Sequence, residues 1–336
     1  MAETTGSATD LEDFFAALLT YVGGLSGWTV DETISTVDSG RQCAVSKGNL
    51  YVQWRWATSS PNHVAMYQST GFTASTRAGL QTGDSGNGYN TTNSTTDANL
   101  DNERCILGMG NSAYPSYYFY TDTTASYVHV VVEVQTDEFR HFGFGNLEKF
   151  GDWNTGSGGE YIYAQVGTNA STGTSSSSNI LLDGALYSTS MTRHGGTMLL
   201  SGLPGQTTEV WGHVWGNDTL TELQDSAGND RLKVIGGSRM GPLPNGFGWL
   251  PPATSTSLSP TQPVACWYFD TSVTPREVYL LGFQPDVRMV HLKNLAPKDT
   301  FVLGAETWRV FPMVRRAEGT SAGDTDFVGV AYLTNP

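Results

Sequence analysis

A valine-rich segment near the middle of the chain constrains the fold most strongly. Residues 127–135 read YVHVVVEVQ, with valine at every second position from 128 to 134. Such alternation is typical of a β-strand, because successive side chains point to opposite faces. The polar residues 136–138 fit a turn, and residues 139–144 (FRHFGF) return. We therefore predict a β-hairpin in which Phe142 and Phe144 are the cross-strand partners of the valine face.

The composition favours a folded, sheet-rich protein. Charged residues make up 15% of the 336 residues and aromatic residues 11%. A disordered chain lacks such aromatic content, because it cannot bury enough apolar surface to offset chain entropy. Many Thr, Val and Tyr residues, together with 39 Gly residues, favour strands and turns. We predict a mainly β protein with antiparallel sheets, arranged as a sandwich or a barrel, and one N-terminal α-helix.

That helix is predicted immediately after the polar N-terminus. Thr9 or Asp10 can cap its start, and Gly23 and Gly24 can end it. Apolar residues at spacings of three and four form one face, namely Leu11, Phe14, Phe15, Leu18, Leu19 and Val22. This face is expected to pack on the sheet of this chain or on a neighbouring subunit.

Further strands are predicted from apolar or alternating runs bounded by turn residues. They are residues 50–56, 64–67, 117–121, 198–200, 209–214, 231–234, 277–283, 287–293, 300–303, 308–314 and 327–332. Long polar or proline-rich stretches at 82–103 and 241–262 are expected to be irregular. No repeat of fixed period is present in the sequence, which argues against a solenoid or a propeller.

Three regions are expected along the chain. Residues 1–165 hold the helix and a β domain that includes the 117–153 hairpin region. Residues 166–265 open with the low-complexity run 167–179 and are expected to be a loop-rich β insertion or middle region. Residues 266–336 are expected to form a C-terminal β segment that packs back on the N-terminal domain.

Charge and cysteine content restrict the partners. A formal net charge of −14 argues against nucleic-acid binding, because an acidic surface repels phosphate. Cys43, Cys105 and Cys266 show no CxxC spacing, which argues against a disulfide scaffold. The N-terminus lacks the regions of a signal peptide, and no apolar run approaches the roughly 20 residues of a membrane helix. We expect synthesis in a cytoplasm, no membrane association and no cofactor.

The sequence contains no common hydrolase, metalloprotease, P-loop or dinucleotide-binding motif, and we expect no enzyme activity. His129 and His141 lie on paired strands, and Glu133 shares the face of His129. These residues suggest either a metal or acid–base site, or a polar sheet face with hydrogen-bonded imidazoles. We favour the structural interpretation, because a third metal ligand is missing.

A second stretch partly matches a calcium loop. Oxygen-bearing side chains recur at alternate positions, at Asp97, Asn99, Asp101 and Glu103. The match then fails, since the sixth position is Asn102 rather than Gly and the twelfth is Gly108 rather than Glu. A solvated loop without metal is the alternative.

Aromatic and basic residues supply candidate contact surfaces. The run YPSYYFY at 114–120 cannot bury all its rings on one face, which suggests a second packed layer, a sugar-stacking surface or a subunit interface. Near the C-terminus, Arg309, Arg315 and Arg316 could dock an acidic neighbour. The alternative is local charge balance against Glu306 and Glu318.

Residues 129–161 resemble a pattern of uncharacterised virion proteins from tailed bacteriophages, in which a valine-rich strand precedes an R-H-F-x-F-G-x-L-x-K segment and a Gly-Gly stretch. The matching positions are Arg140, His141, Phe142, Phe144, Gly145, Leu147, Lys149, Trp153, Gly158 and Gly159. Residues 298–312 and 329–333, and the N-terminal helix followed by GWTV at 27–30, are also similar. The resemblance covers about half the chain and implies no catalytic residue.

This resemblance implies a structural component of the virion, in the tail, baseplate or neck, that contacts other virion proteins and copies of itself. The candidate contact or packing residues are Tyr117, Tyr118, Phe119, Tyr120, His141, Phe142, Phe144, Trp153, Trp308, Arg309, Arg315 and Arg316. One alternative is a carbohydrate- or receptor-binding module at the tail periphery that takes a host surface glycan. A second is an envelope-degrading hydrolase with Glu133 and Glu160 as its acid–base pair.

Overall fold

The protein is mainly β, with antiparallel sheets and, among the residues that the structure describes, a single α-helix near the N-terminus, as predicted. The computed structural model describes residues 3–38, 40–58, 64–76, 78, 81, 105–110, 112–151, 158–164, 196–200, 210–214, 223–224, 230–231, 233–236, 261–270, 277–312 and 328–335. Among the described strand pairs, only β13 and β16, defined below, run parallel.

The N-terminal half contains one helix and a succession of strands. They are β1 (Thr4–Ala8), α1 (Leu11–Gly23), β2 (Thr29–Val37), β3 (Gly40–Lys47), β4 (Leu50–Ala57), β5 (Val64–Ser69), β6 (Cys105–Leu107), β7 (Tyr114–Tyr120), β8 (Tyr127–Gln135), β9 (Glu138–Asn146), β10 (Glu148–Lys149) and β11 (Glu160–Ala164). The C-terminal half adds β12 (Gly196–Leu200), β13 (Val210–Val214), β14 (Leu223–Gln224), β15 (Asp230–Arg231), β16 (Lys233–Gly236), β17 (Thr261–Asp270), β18 (Glu277–His291), a 3₁₀ turn (Leu292–Asn294), β19 (Thr300–Leu303), β20 (Glu306–Pro312) and β21 (Val328–Leu333).

Two principal sheets organise these strands. The larger has the order β1-β7-β8-β9-β11-β12-β13-β16-β17-β18-β21-β20-β19, with β10 paired to β18. The smaller has the order β2-β3-β4-β5-β6, and β14 and β15 form a separate pair. Strands close to the two ends of the larger sheet face each other, because Tyr118 on β7 contacts Phe311 on β20 and Tyr120 contacts Tyr332 on β21. The arrangement is sandwich-like.

The β7-β8-β9-β11 layer is buried on both faces. Val128, Val130 and Val132 belong to the main core with α1 and the smaller sheet. The opposite face of the same strands carries His129 and His141, which are fully buried against the C-terminal strands. The alternation in the sequence therefore separates two buried layers rather than a buried face from a solvent-exposed one.

The predicted hairpin is confirmed in its register. Val128 lies opposite Phe144 and Val130 lies opposite Phe142. The turn residue Asp137 has a positive φ of 57°, a conformation that Asp tolerates better than most residues. The return strand extends two residues past the predicted end, to Asn146.

The predicted helix is also confirmed. Asp10 is the N-cap, and its carboxylate accepts a 2.9 Å hydrogen bond from the backbone N–H of Asp13. Asp13 reciprocates by accepting a 2.8 Å bond from the Thr9 N–H. All six predicted apolar residues are buried, and Phe14 and Phe15 contact aromatic rings from both sheets. The helix therefore packs within this chain and links the two sheets.

We expect Asp10→Ala to lower the free energy of unfolding by about 1 kcal/mol, because the helix loses its N-cap acceptor. Asp10→Asn should retain most of that stability, since an amide oxygen can accept the same bond. Urea unfolding of the three proteins at pH 7 measures the difference. A stability of Asp10→Ala equal to that of the wild type would show that the cap contributes nothing.

Three strands near the N-terminus were not predicted, and two strands that were predicted separately form one continuous strand. The missed strands are β1, β2 and β3. β1 and β2 are rich in Thr and Ser, and β3 (GRQCAVSK) lacks strict alternation of apolar and polar residues. Residues 277–283 and 287–293 were predicted as separate strands, because Pro285 and Asp286 resemble a break. Residues 277–291 instead form the single strand β18, where Asp286 has a φ of 53° and register shifts against β17 absorb the irregularity. The last two residues of the second predicted strand, 292 and 293, lie in the 3₁₀ turn that follows.

Several predictions concern residues outside the described ranges. They are the polar stretch 82–103, the low-complexity run 167–179 and residues 241–260 of the proline-rich stretch. The end of that stretch, Thr261 and Gln262, was expected to be irregular but begins strand β17. The described C-terminal strands pack on the hairpin layer. The domain boundaries at 165 and 265 stay predictions. In the part of the chain that the structure describes, no helix is long and apolar enough to cross a membrane.

Candidate functional site

Two buried histidines join the hairpin layer to the C-terminal strands in the same way. His129 Nε2 lies 2.8 Å from the carbonyl oxygen of Pro285, and its Nδ1 lies 3.0 Å from the Tyr163 hydroxyl. His141 has the same pair of contacts, one to a carbonyl oxygen and one to a tyrosine hydroxyl. Because a carbonyl oxygen can only accept, Nε2–H donates to it, and Nδ1 of the neutral ring accepts from the tyrosine hydroxyl.

The second histidine uses β20 and β21 rather than β18 and β11. His141 Nε2 lies 3.0 Å from the carbonyl oxygen of Pro312, and Nδ1 lies 2.9 Å from the Tyr332 hydroxyl. Tyr332 also stacks on the His141 ring, with centroids 5.9 Å apart. Both ring nitrogens of each imidazole are therefore already engaged in hydrogen bonds. The predicted structural role is the one that this geometry supports.

Burial sets the protonation state of both rings. It lowers the pKa of His129 to about 3, against smaller raising effects from the Pro285 carbonyl and Asp122. Burial likewise lowers the pKa of His141 to about 4, with Pro312 raising it and Arg140 lowering it further. Both imidazoles are neutral near pH 7. Within the described residues, no cluster of three or more His, Cys, Asp or Glu side chains could hold a metal.

Glu133 lies at the turn end of the hairpin and forms a separate ionic cluster. Lys298 Nζ donates to both carboxylate oxygens at 2.9 Å, and Ser116 Oγ and the Asp137 N–H also donate. Burial raises the pKa of Glu133, but these hydrogen bonds and the lysine charge outweigh it, so the pKa lies below its ordinary value. Such a carboxylate is a poor general acid at neutral pH.

The strand register separates Glu133 from Glu160. Glu133 pairs with Phe139 on β9, whereas Glu160 pairs with Asn146 on the same strand. Seven residues of strand span ~23 Å. Glycosidase carboxylates stand about 5–9.5 Å apart. These two residues are therefore too far apart to act as the acid–base pair of the hydrolase alternative.

The aromatic run on β7 belongs to the interior. Tyr117 and Phe119 face α1, with their rings 5.8 and 6.1 Å from Phe14. Tyr118 and Tyr120 face the opposite way and contact Phe311 and Tyr332, as described above. Phe142 and Phe144 are also fully buried. Of the three alternatives for this run, the second packed layer is the one that the structure shows within one chain.

Trp308 and Arg309 are likewise engaged within the chain. Trp308 is buried and its ring lies 4.9 Å below the guanidinium of Arg288. Arg309 forms a 2.9 Å ion pair with Glu3, which precedes β1. Arg309 is therefore paired with Glu3, which was not among the residues proposed to balance its charge. Trp153, Arg315, Arg316 and the partial calcium motif at 97, 99, 101 and 103 lie outside the described residues.

An exposed apolar edge is the remaining candidate. Val302 is 69% exposed and Leu303 is 40% exposed, although both are on strand β19. In the described chain, β19 is the terminal strand of the larger sheet and pairs with β20 alone. An edge strand with exposed apolar side chains offers unpaired backbone groups and apolar surface to another chain.

Sequence reasoning missed several participants. Tyr163, Tyr332 and Lys298 hold His129, His141 and Glu133 across sequence separations of 34, 191 and 165 residues. The available signal was indirect, because fully buried histidines on a strand require polar partners from another layer. Strand β19 was predicted from the sequence. Its position at the end of the sheet depends on which strands pair with one another.

No protein-family model matches the chain, and no curated protein matches it.

Proposed function

We propose that the chain is a non-enzymatic structural component of a tailed-phage virion, assembling through protein–protein contacts in the tail, baseplate or neck. The observation that carries the assembly role is the open strand β19 with its exposed Val302 and Leu303. The virion itself is suggested by the resemblance of residues 129–161 and of the C-terminal segment. Partners are copies of this chain and other virion proteins.

The state of the polar groups supports a binding role over a catalytic one. His129, His141 and Glu133 are buried and satisfied by partners from other strands. Their pKa values are displaced away from neutrality, whereas a general acid or base works best near the ambient pH. The carbohydrate-binding alternative receives no support from the β7 aromatics, because those rings pack inside the chain.

The proposal predicts association in solution. Purified at micromolar concentration, alone and together with proteins encoded beside it, the chain should form closed oligomers or stoichiometric complexes. Light scattering after size-exclusion chromatography gives the mass, and electron microscopy gives the symmetry. A chain that stays monomeric at every concentration and binds none of those proteins would refute the assembly role. Saccharide binding by the monomer on a glycan array would favour the carbohydrate alternative.

A further inference from the structure

We propose that strand β19 pairs antiparallel with β19 of a second copy, so that the larger sheets of two chains become continuous across a two-fold axis. This inference rests on the proposed assembly function and names the partner of the open edge.

The backbone of β19 presents hydrogen-bonding groups on its open side. Next to β19, Val310 N donates to Asp299 O at 2.9 Å and Lys298 N donates to Val310 O at 2.7 Å. Hydrogen-bonded and non-hydrogen-bonded pairs alternate along an antiparallel ladder. Since Thr300 pairs with Arg309 and Val302 with Thr307, the N–H and C=O groups of Thr300 and Val302 point away from β20.

The side chains of this strand match an uncharged partner. Thr300, Val302 and Leu303 are exposed, whereas Phe301 packs against the small C-terminal core. Residues 300–305 (TFVLGA) carry no charge, although the whole chain has a net charge of −14. Two acidic copies can therefore approach at this edge without direct contact between like charges.

Two other edge strands in the described chain carry features that discourage pairing. β1, at the opposite end of the larger sheet, has small or polar residues (TTGSA) and a register shift against β7. β2, at the edge of the smaller sheet, carries Asp31 and Glu32 and two register shifts. Charges and bulges are the usual protection of an edge. Residues 300–303 of β19 have neither. The other edge of the smaller sheet, β6, is also uncharged (CIL), but its Leu107 is fully buried, whereas Val302 and Leu303 of β19 are exposed. β19 is therefore the uncharged edge that also exposes apolar side chains.

A two-fold arrangement also suits the flanking charges. If Phe301 lies on the axis, Thr300 of one copy faces Val302 of the other, and their outward groups form hydrogen-bonded pairs. Asp299 then lies opposite Leu303 of the second copy. The two Asp299 carboxylates are about 13 Å apart along the strands. A parallel arrangement would instead place each Asp299 beside its counterpart.

The contact is small, which sets the expected affinity. Pairing of two four-residue strands buries less than the ~1,200 Å² of a stable interface. We therefore expect a reversible dimer with a Kd on the order of 10–100 µM. In a larger particle the same contact would be strengthened by further contacts between the same two chains.

The test uses the full chain and two substitutions at one position. Val302→Pro removes the outward N–H, a change that an edge strand tolerates when that N–H faces solvent. Val302→Thr keeps the N–H and the β-branched shape but reduces apolar surface. Sedimentation velocity from 5 to 500 µM should show dimerisation of the wild type and of Val302→Thr, and at least tenfold weaker dimerisation of Val302→Pro, by ~1.4 kcal/mol or more. Circular dichroism and urea unfolding check that Val302→Pro is folded.

Each outcome bears on a different proposal. Equal dimerisation of folded Val302→Pro and wild type would overturn β19 pairing and leave assembly through another surface intact. A monomeric wild type that still binds its co-encoded proteins would overturn self-pairing alone. If Val302→Pro does not fold, Val302→Lys replaces it, since a charge on the edge also blocks pairing. Unchanged dimerisation of Val302→Lys would then overturn the inference.

Discussion

Below pH 6.5 the free energy of unfolding should fall by up to ~1.4 kcal/mol per pH unit for each of His129 and His141. At pH 4 the two residues together should have removed roughly 6 kcal/mol. This loss is a large part of the stability of an ordinary domain. We therefore expect cooperative acid unfolding at a pH where most carboxylates are still ionised.

The direction follows from the two states of each histidine. In the folded protein, burial lowers the pKa to about 3 for His129 and about 4 for His141. In the unfolded chain each imidazole titrates near 6.5. Between these values the unfolded state binds more protons, so acid favours unfolding. Protonation would also turn Nδ1 into a donor facing a tyrosine hydroxyl. The charge of Asp122 slightly favours protonation of His129, and the charge of Arg140 opposes protonation of His141.

Urea unfolding at pH 7.0, 6.0, 5.5 and 5.0 measures the slope. His129→Gln and His141→Gln should each reduce it by about one proton, whatever their stability at pH 7. Glu133→Gln is the control, because the pKa of Glu133 lies below its ordinary value and its titration falls below this pH window. A slope that neither histidine variant changes would show that the loss of stability in acid does not come from these two histidines.

Much of the local structure follows from the sequence, because the signals lie close together. Asp10 and the apolar spacing of the following residues specify the helix. The valine alternation and the two phenylalanines specify the hairpin register. Arg140, near the turn, pairs with Glu138 at 2.5 Å, is buried and also donates to Gly108 O.

The layers could not be predicted in the same way. Nothing near His141 in the sequence indicates that Pro312 and Tyr332 cover it, because those residues come from strands more than 170 positions away. A strand buried on both faces by different layers looks, in its own residues, like a strand with a polar exposed face. For this reason the sequence of the aromatic run on β7 could not distinguish a subunit interface from the protein interior.

The glycines after the valine strand combine local and long-range constraints. Gly145 belongs to the segment that carries the resemblance. The structure places Gly145 opposite Tyr127, on the adjacent strand of its own hairpin, with a φ of 148°. A Cβ atom there would lie 2.4 Å from Tyr127 Cα and 2.6 Å from Ser126 O.

Gly145→Ala should therefore lower the free energy of unfolding by about 3 kcal/mol or more, because both the backbone conformation and the space exclude a side chain. The clashing atoms are backbone atoms, so relief would require separating β8 from β9 and opening both cores that they divide. Gly110→Ala is the matched control, since a Cβ atom there meets no atom within 4 Å and the backbone needs no positive φ. It should change stability by less than about 1 kcal/mol. Urea midpoints at constant m-value compare the two. Similar stability of both variants would mean that the hairpin can shift at little cost, and would remove the physical reason for glycine at this position.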